Sequence, residues 1–177
     1  MGLKGRRAAA PARGGVGLFD GQLLATWRLH SRISIEFLAA IPAAGLRIAP
    51  AGPRARTLGQ VFAHQHNVRF AWLRHFAPVA VRDVTPFTKG AEPTAAQLRA
   101  AFTASGQAVE RFLARVLTGE AKIKSFRRSP VRWMSYLISH ESHHRGQIAA
   151  ALRQHGHKLP TEVSIRLLWQ DWYWGKE

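Results

Sequence analysis

The chain has 177 residues, 46% of them apolar, which suits one domain with a single core and excludes wholesale disorder. It contains no cysteine, so disulfides, thiolate metal sites and cysteine nucleophiles are excluded and a cytoplasmic address is the default expectation. The net charge is +16, from 26 Lys and Arg against 10 Asp and Glu, and no run of about 18 apolar residues exists to span a membrane.

Residues 1–17 are rich in Gly, Ala and Arg and lack apolar periodicity. They read as a disordered basic tail, because Pro-Ala-Arg-Gly-Gly at 11–15 interrupts the apolar segment a secretory signal needs. A first helix is expected over 19–41, with Leu23, Leu24, Trp27, Ile33, Ile35, Phe37 and Leu38 on its apolar face. Pro42 and the Gly- and Pro-rich stretch to Pro53 end it. Thr57 suits the N-cap of a second helix reaching about residue 75. Pro78 and Pro86 bracket an exposed connection, and Pro93-Thr94 opens a third helix that Gly119 closes. A basic crossover, Lys122-Ile123-Lys124-Ser125-Phe126-Arg127-Arg128, leads to Ser129-Pro130, which starts a fourth helix by the N-cap and N1 preferences. That helix runs to Gln154, with Gly156 as its stop, and a short final helix is expected over 161–169. Nothing alternates at period two. The pattern predicts an all-α domain over 18–177, an antiparallel four-helix bundle with a short additional C-terminal helix.

The fourth helix carries His140-Glu141-Ser142-His143-His144-Arg145-Gly146-Gln147. At about 100° per residue, His140 and His144 stand roughly 40° apart, on the face that also holds Trp133, Tyr136, Leu137, Gln147, Ile148, Ala151 and His155. His143 and Glu141 fall at the edge of that face, and Arg145 points farther round. Two imidazoles at i and i+4 can close on one ion at about 2.0–2.1 Å. Two adjacent histidines satisfied only by hydrogen bonds would each need a polar partner on an apolar stripe, so a metal is the better reading. On the second helix the apolar arc centres on Val61, Phe62, Val68 and Trp72, with His64 on one flank and His66 on the other. Geometry alone does not choose the third ligand between them. His30, His75, His155 and His157 read as helix-end or surface residues.

His140 to His144 also matches H-E-x-x-H, the zinc-protease pattern in which the glutamate is the general base. The longer metzincin form fails at Ala150, and no strand is available to align a peptide substrate.

The segment H-E-S-H-H-R-G-Q at 140–147, preceded by Tyr136-Leu137-Ile138, resembles the fourth-helix motif of the DinB family. These are bacterial four-helix-bundle proteins grouped with YfiT-like metal-dependent hydrolases. The stretch from Thr57 to Trp72, with H-x-H-N-V-R at its centre, resembles the family's second-helix motif. Trp172-Tyr173-Trp174-Gly175-Lys176 is similar to its ending. The resemblance implies a three-histidine site, one ligand seven residues after a helix-starting Thr and two from the fourth helix. Counted from Thr57, the first is His64, joined by His140 and His144. Such a site keeps an open position of the catalytic type. Zinc or nickel suits imidazole ligation, Gln147 lies one turn beyond His144 as an orienting group, Gly146 would admit a close neighbouring helix, and Arg145 would make a structural or rim ion pair.

Three functions compete. The resemblance implies a metal-dependent enzyme, either a transferase or isomerase using low-molecular-weight thiols such as bacillithiol or mycothiol, or a hydrolase, acting on a small molecule without an evident general base. The same site could serve a non-catalytic metal-binding stress-response protein, the family name referring to damage-inducible expression. A nucleic-acid-associated protein rests on charge alone. The charges are spread along the chain, and its two concentrations, Lys4 to Arg13 and Lys122 to Arg128, lack both interleaved aromatics and a helix-turn-helix. Exposed aromatic surface is where a homodimer would form.

Overall fold

The computed structural model describes residues 17–50, 52 and 55–175. The expected tail lies outside these residues, apart from Gly17. Among the described residues the protein is all-helical, without strands. Four long helices follow one another: α1 (Leu18–Ala39), α2 (Leu58–Phe76), α3 (Ala95–Leu117) and α4 (Pro130–Gln154). No helix among them is long and apolar enough to cross a membrane.

The helix ends follow from local chemistry. The Thr57 hydroxyl accepts from the Gln60 amide while the Gln60 side chain caps Thr57 N. Thr94 and Gln97 repeat this reciprocal cap at α3, and Ser129 caps the Arg132 amide ahead of Pro130 at α4. Gly119 and Gly156 end α3 and α4 at φ of +80° and +78°, a left-handed backbone that only glycine adopts without strain. The C-terminal segment differs from one short helix over 161–169. It forms α5 (Thr161–Ile165), a π turn (Arg166–Gln170) and α6 (Asp171–Tyr173). Arg166 ties the turn to Glu36 at 2.7 Å and to Asp171 at 3.0 Å.

Two apolar clusters fill the interior. One joins the end of α1 and the end of α4 to the starts of α2 and α3, through Phe37, Leu38, Phe62, Leu98, Phe102 and Leu152. The other joins the opposite ends, through Leu24, Trp27, Leu73, Val109, Phe112 and Trp133. Hence α1 and α4 run one way, α2 and α3 the other. The connection over 77–94 returns the chain to the starting end for α3. Both α3 and α4 pack against α1 and α2.

Between the clusters lies a layer of buried polar groups: His30, Ser34, Gln65, His66, Arg69, Ser105, Glu141 and Arg145. This layer corrects two sequence expectations. The expected Trp133, Leu137, Ile148 and Ala151 are buried on α4, but so are Met134, Glu141, Arg145 and Leu152, whereas Tyr136 and Gln147 are exposed. The buried stripe is therefore rotated from the apolar one, because Glu141 and Arg145 turn inward to polar partners. On α2 the innermost residues include Phe62, His66, Arg69 and Leu73, and Val61, Val68 and Trp72 are only half-buried.

Candidate metal centre

The rotation carries His140 and His144 to the flank of α4 that faces α2. There they meet His64, and all three are half-buried. The His64 ring lies 5.2 Å from each of the other two, and those two lie 4.6 Å apart. One ligand nitrogen from each ring can be chosen so that all three lie within 4.8 Å of one another. The His140 and His144 Nε2 atoms are 3.3 Å apart. Two nitrogens bound at about 2.0–2.1 Å to one tetrahedral ion stand about 3.3–3.4 Å apart, so this donor pair fits a metal without rearrangement.

The protonation state also suits ligation. Burial and the facing charges of His144, Arg56 and His140 lower the His64 pKa to about 4. Burial lowers His140 and His144 as well, with His144 adding to the effect on His140 and His143 and Arg56 adding to it on His144. All three imidazoles are thus neutral at pH 7 and keep a lone pair to offer. The His144 Nδ1–H donates to the Gln147 side-chain oxygen at 2.9 Å, which leaves Nε2 as its donor atom. Tyr136 stacks on His140 at 5.9 Å and 24°. Phe126 and Trp72 pack against Tyr136 in turn and close that end of the groove.

His66 is elsewhere. Its Nε2–H donates to the Thr85 carbonyl at 3.0 Å and its ring packs on Phe87. His143 is exposed, its ring 5.4 Å from that of His144. Gly146 is exposed and a Cβ built there would meet nothing within 4 Å, so no close helix approach depends on it.

The residues that sequence reasoning missed lie one layer deeper. Arg69 grips Glu141 with two bonds of 2.6 Å, Nε to Oε1 and Nη2 to Oε2. The His30 Nε2–H donates to Oε2 at 2.9 Å and the Ser34 hydroxyl at 3.3 Å. Arg69 also donates to the Phe102 carbonyl and lies over the Trp27 and Phe102 rings. Arg145 donates to Ser34 and Ser142, so it is an interior group and not a rim ion pair. The Arg69 and His30 partners hold the Glu141 carboxyl well below the usual carboxylate range against the opposing effect of burial. Burial lowers His30 in spite of Glu141. His30 is fully buried, which corrects its assignment to the surface; the signal was its spacing from Trp27, Ile33 and Phe37 on one face of α1. With both oxygens engaged, Glu141 cannot act as the general base of an H-E-x-x-H protease.

The family model described as DinB family matches residues 15–172. No curated protein and no solved structure matches the chain.

Proposed function

The chain belongs to the DinB family, and from that footing we propose that it holds one divalent transition metal, zinc or nickel, on His64, His140 and His144 and works as a metal-dependent enzyme on a small molecule. The observation that carries this is the convergence of three neutral imidazoles from two helices, one pair at a separation that suits a tetrahedral ion. Three protein ligands leave a position open, and an ion there would supply Lewis acidity, lowering the pKa of a bound water or thiol or polarising a carbonyl.

The chain's own residues would do the rest. Gln147 would orient His144, and Tyr136 would shield one side of His140. The Arg69–Glu141 pair would fix α2 against α4 so that the ligands keep their spacing. No free carboxylate base stands at the histidines, which favours a metal-activated nucleophile such as a thiol. A thiol S-transferase is therefore the first reaction class and hydrolysis the second. We read the four long helices as a four-helix bundle of antiparallel pairs within a domain spanning 18–177. The absence of cysteine supports a cytoplasmic protein, and exposed Trp169, Tyr173 and Trp174 support a homodimer.

The test is incubation of zinc- or nickel-loaded protein with a low-molecular-weight thiol and a chlorinated aromatic or an epoxide. Metal-dependent conjugation, lost in His144→Ala, supports the enzyme. Metal binding with no turnover of these or of hydrolysable substrates would point to a non-catalytic metal-binding protein with the same site.

A further inference from the structure

Two clefts open onto the histidines. One, about 420 Å³, is lined by His64 together with Arg56, Gln60, Asn67 and Lys89. The other, about 630 Å³, is lined by His144, Gln147, Val61, Ile148 and again Arg56. Both are of a size that takes a small molecule. Neither has an acidic residue in its wall. Among the described residues, Arg56 and Lys89 make no ion pair. The nearby Glu92 is already taken by Arg47 at 3.2 Å and by the Thr57 hydroxyl at 3.0 Å.

The two cationic side chains are exposed at the rim of the cleft, and the backbone that carries them is held in place. Arg56 directly precedes the capped start of α2 at Thr57. Lys89 sits on a loop clamped to α2, where the Asn67 amide donates to the Phe87 carbonyl and accepts from the Phe87 N–H, both at 2.9 Å. The Gln60 amide donates to the Gly90 carbonyl on the other side of Lys89 at 3.4 Å. A pair of cations without acidic partners, carried on fixed backbone beside a reactive centre, attracts negative charge. Arg56 borders both clefts, but Lys89 lines only the first, so the charged end of a ligand belongs there.

We propose that the cleft between Arg56 and Lys89 takes the anionic head group, carboxylate or phosphate, of a small organic substrate and sets the rest of that molecule beside His64. The substrate role rests on the reading of the histidines as the reactive centre; the anion site itself does not.

Calorimetric titration of the full chain, with and without zinc, tests this with succinate, glycerol 3-phosphate and the neutral succinamide as probes. Saturable binding of at least one anion is expected, the tighter one identifying the head group, with succinamide about tenfold weaker or more. Arg56→Gln and Lys89→Gln should each weaken the anion about tenfold, while the number of zinc ions taken up per chain stays that of the parent. Arg132→Gln, an exposed cation outside both clefts, should do neither, which separates the site from the general +16 charge. Equal binding of succinamide, equal loss in Arg132→Gln, or no saturable anion binding overturns the proposal. Anion binding without zinc uptake would remove the metal reading and keep the cleft; zinc uptake without anion binding would do the reverse.

Discussion

Arg69 and Glu141, 72 residues apart in the chain, meet through two parallel bonds of 2.6 Å at the centre of the protein, both side chains almost wholly removed from water. The pair joins α2 to α4 at the level of the histidines that those two helices contribute. Its geometry has energetic consequences that can be measured.

Removing one partner leaves an uncompensated charge in a dry interior. Arg69→Ala or Glu141→Ala should each cost about 3–5 kcal/mol in denaturant unfolding, whereas replacing both by apolar residues, Arg69→Met with Glu141→Leu, should cost clearly less than the sum. Additive losses would mean that the two residues act independently.

Acid should destabilise the protein through this same layer. The folded His30 pKa lies below its ordinary 6.5, so below that pH the unfolded chain binds the extra proton and stability falls. The folded Glu141 pKa lies below its ordinary 4.5, so its contribution is complete above that value and is lost as pH falls toward the folded value. Both effects have one sign. Urea midpoints of the metal-free protein should decline from pH 7 to pH 5 through His30, with His64, His66, His140 and His144 adding in the same direction, then more steeply below about pH 4.5 as Glu141 joins. A midpoint that holds or rises on acidification contradicts this ordering.

The histidines should separate by position. His144→Ala should abolish metal uptake, His143→Ala should leave it nearly intact, and His66→Ala should lower stability without changing metal stoichiometry. Equal losses of metal in His143→Ala and His144→Ala would reassign the ligands.

Gln147 acts on the metal only through His144. Gln147→Ala should weaken metal affinity about 10–100-fold while the metal-free protein unfolds within about 0.5 kcal/mol of the parent, as expected of an exposed position. A large stability loss would show that its role is structural.

The helix starts at Thr57, Thr94 and Ser129 were legible in the sequence because each cap is a local arrangement of three or four residues. The His140–His144 pair was legible for the same reason: one helix fixes the spacing. The buried faces were not. Apolar periodicity sets Glu141 at the edge of its helix face and Arg145 farther round, and their burial, like that of Arg69, depends on partners dozens of residues away; His30 shares a face of α1 with Trp27, Ile33 and Phe37, but a polar side chain there reads as a surface group. That hidden layer rotates α4 and moves the histidines from the presumed interior to the groove facing α2. Which of His64 and His66 faces them depends on the same rotation, so the face pattern of α2 left both open. The π turn at 166–170 has no local marker either; Glu36 and Asp171 hold it through Arg166.

Elemental analysis of the purified chain after exposure to zinc or nickel and removal of excess metal tests the central claim most directly. One equivalent per chain is expected, absent in His144→Ala. Trace metal only, with unfolding unchanged by either ion, would contradict it.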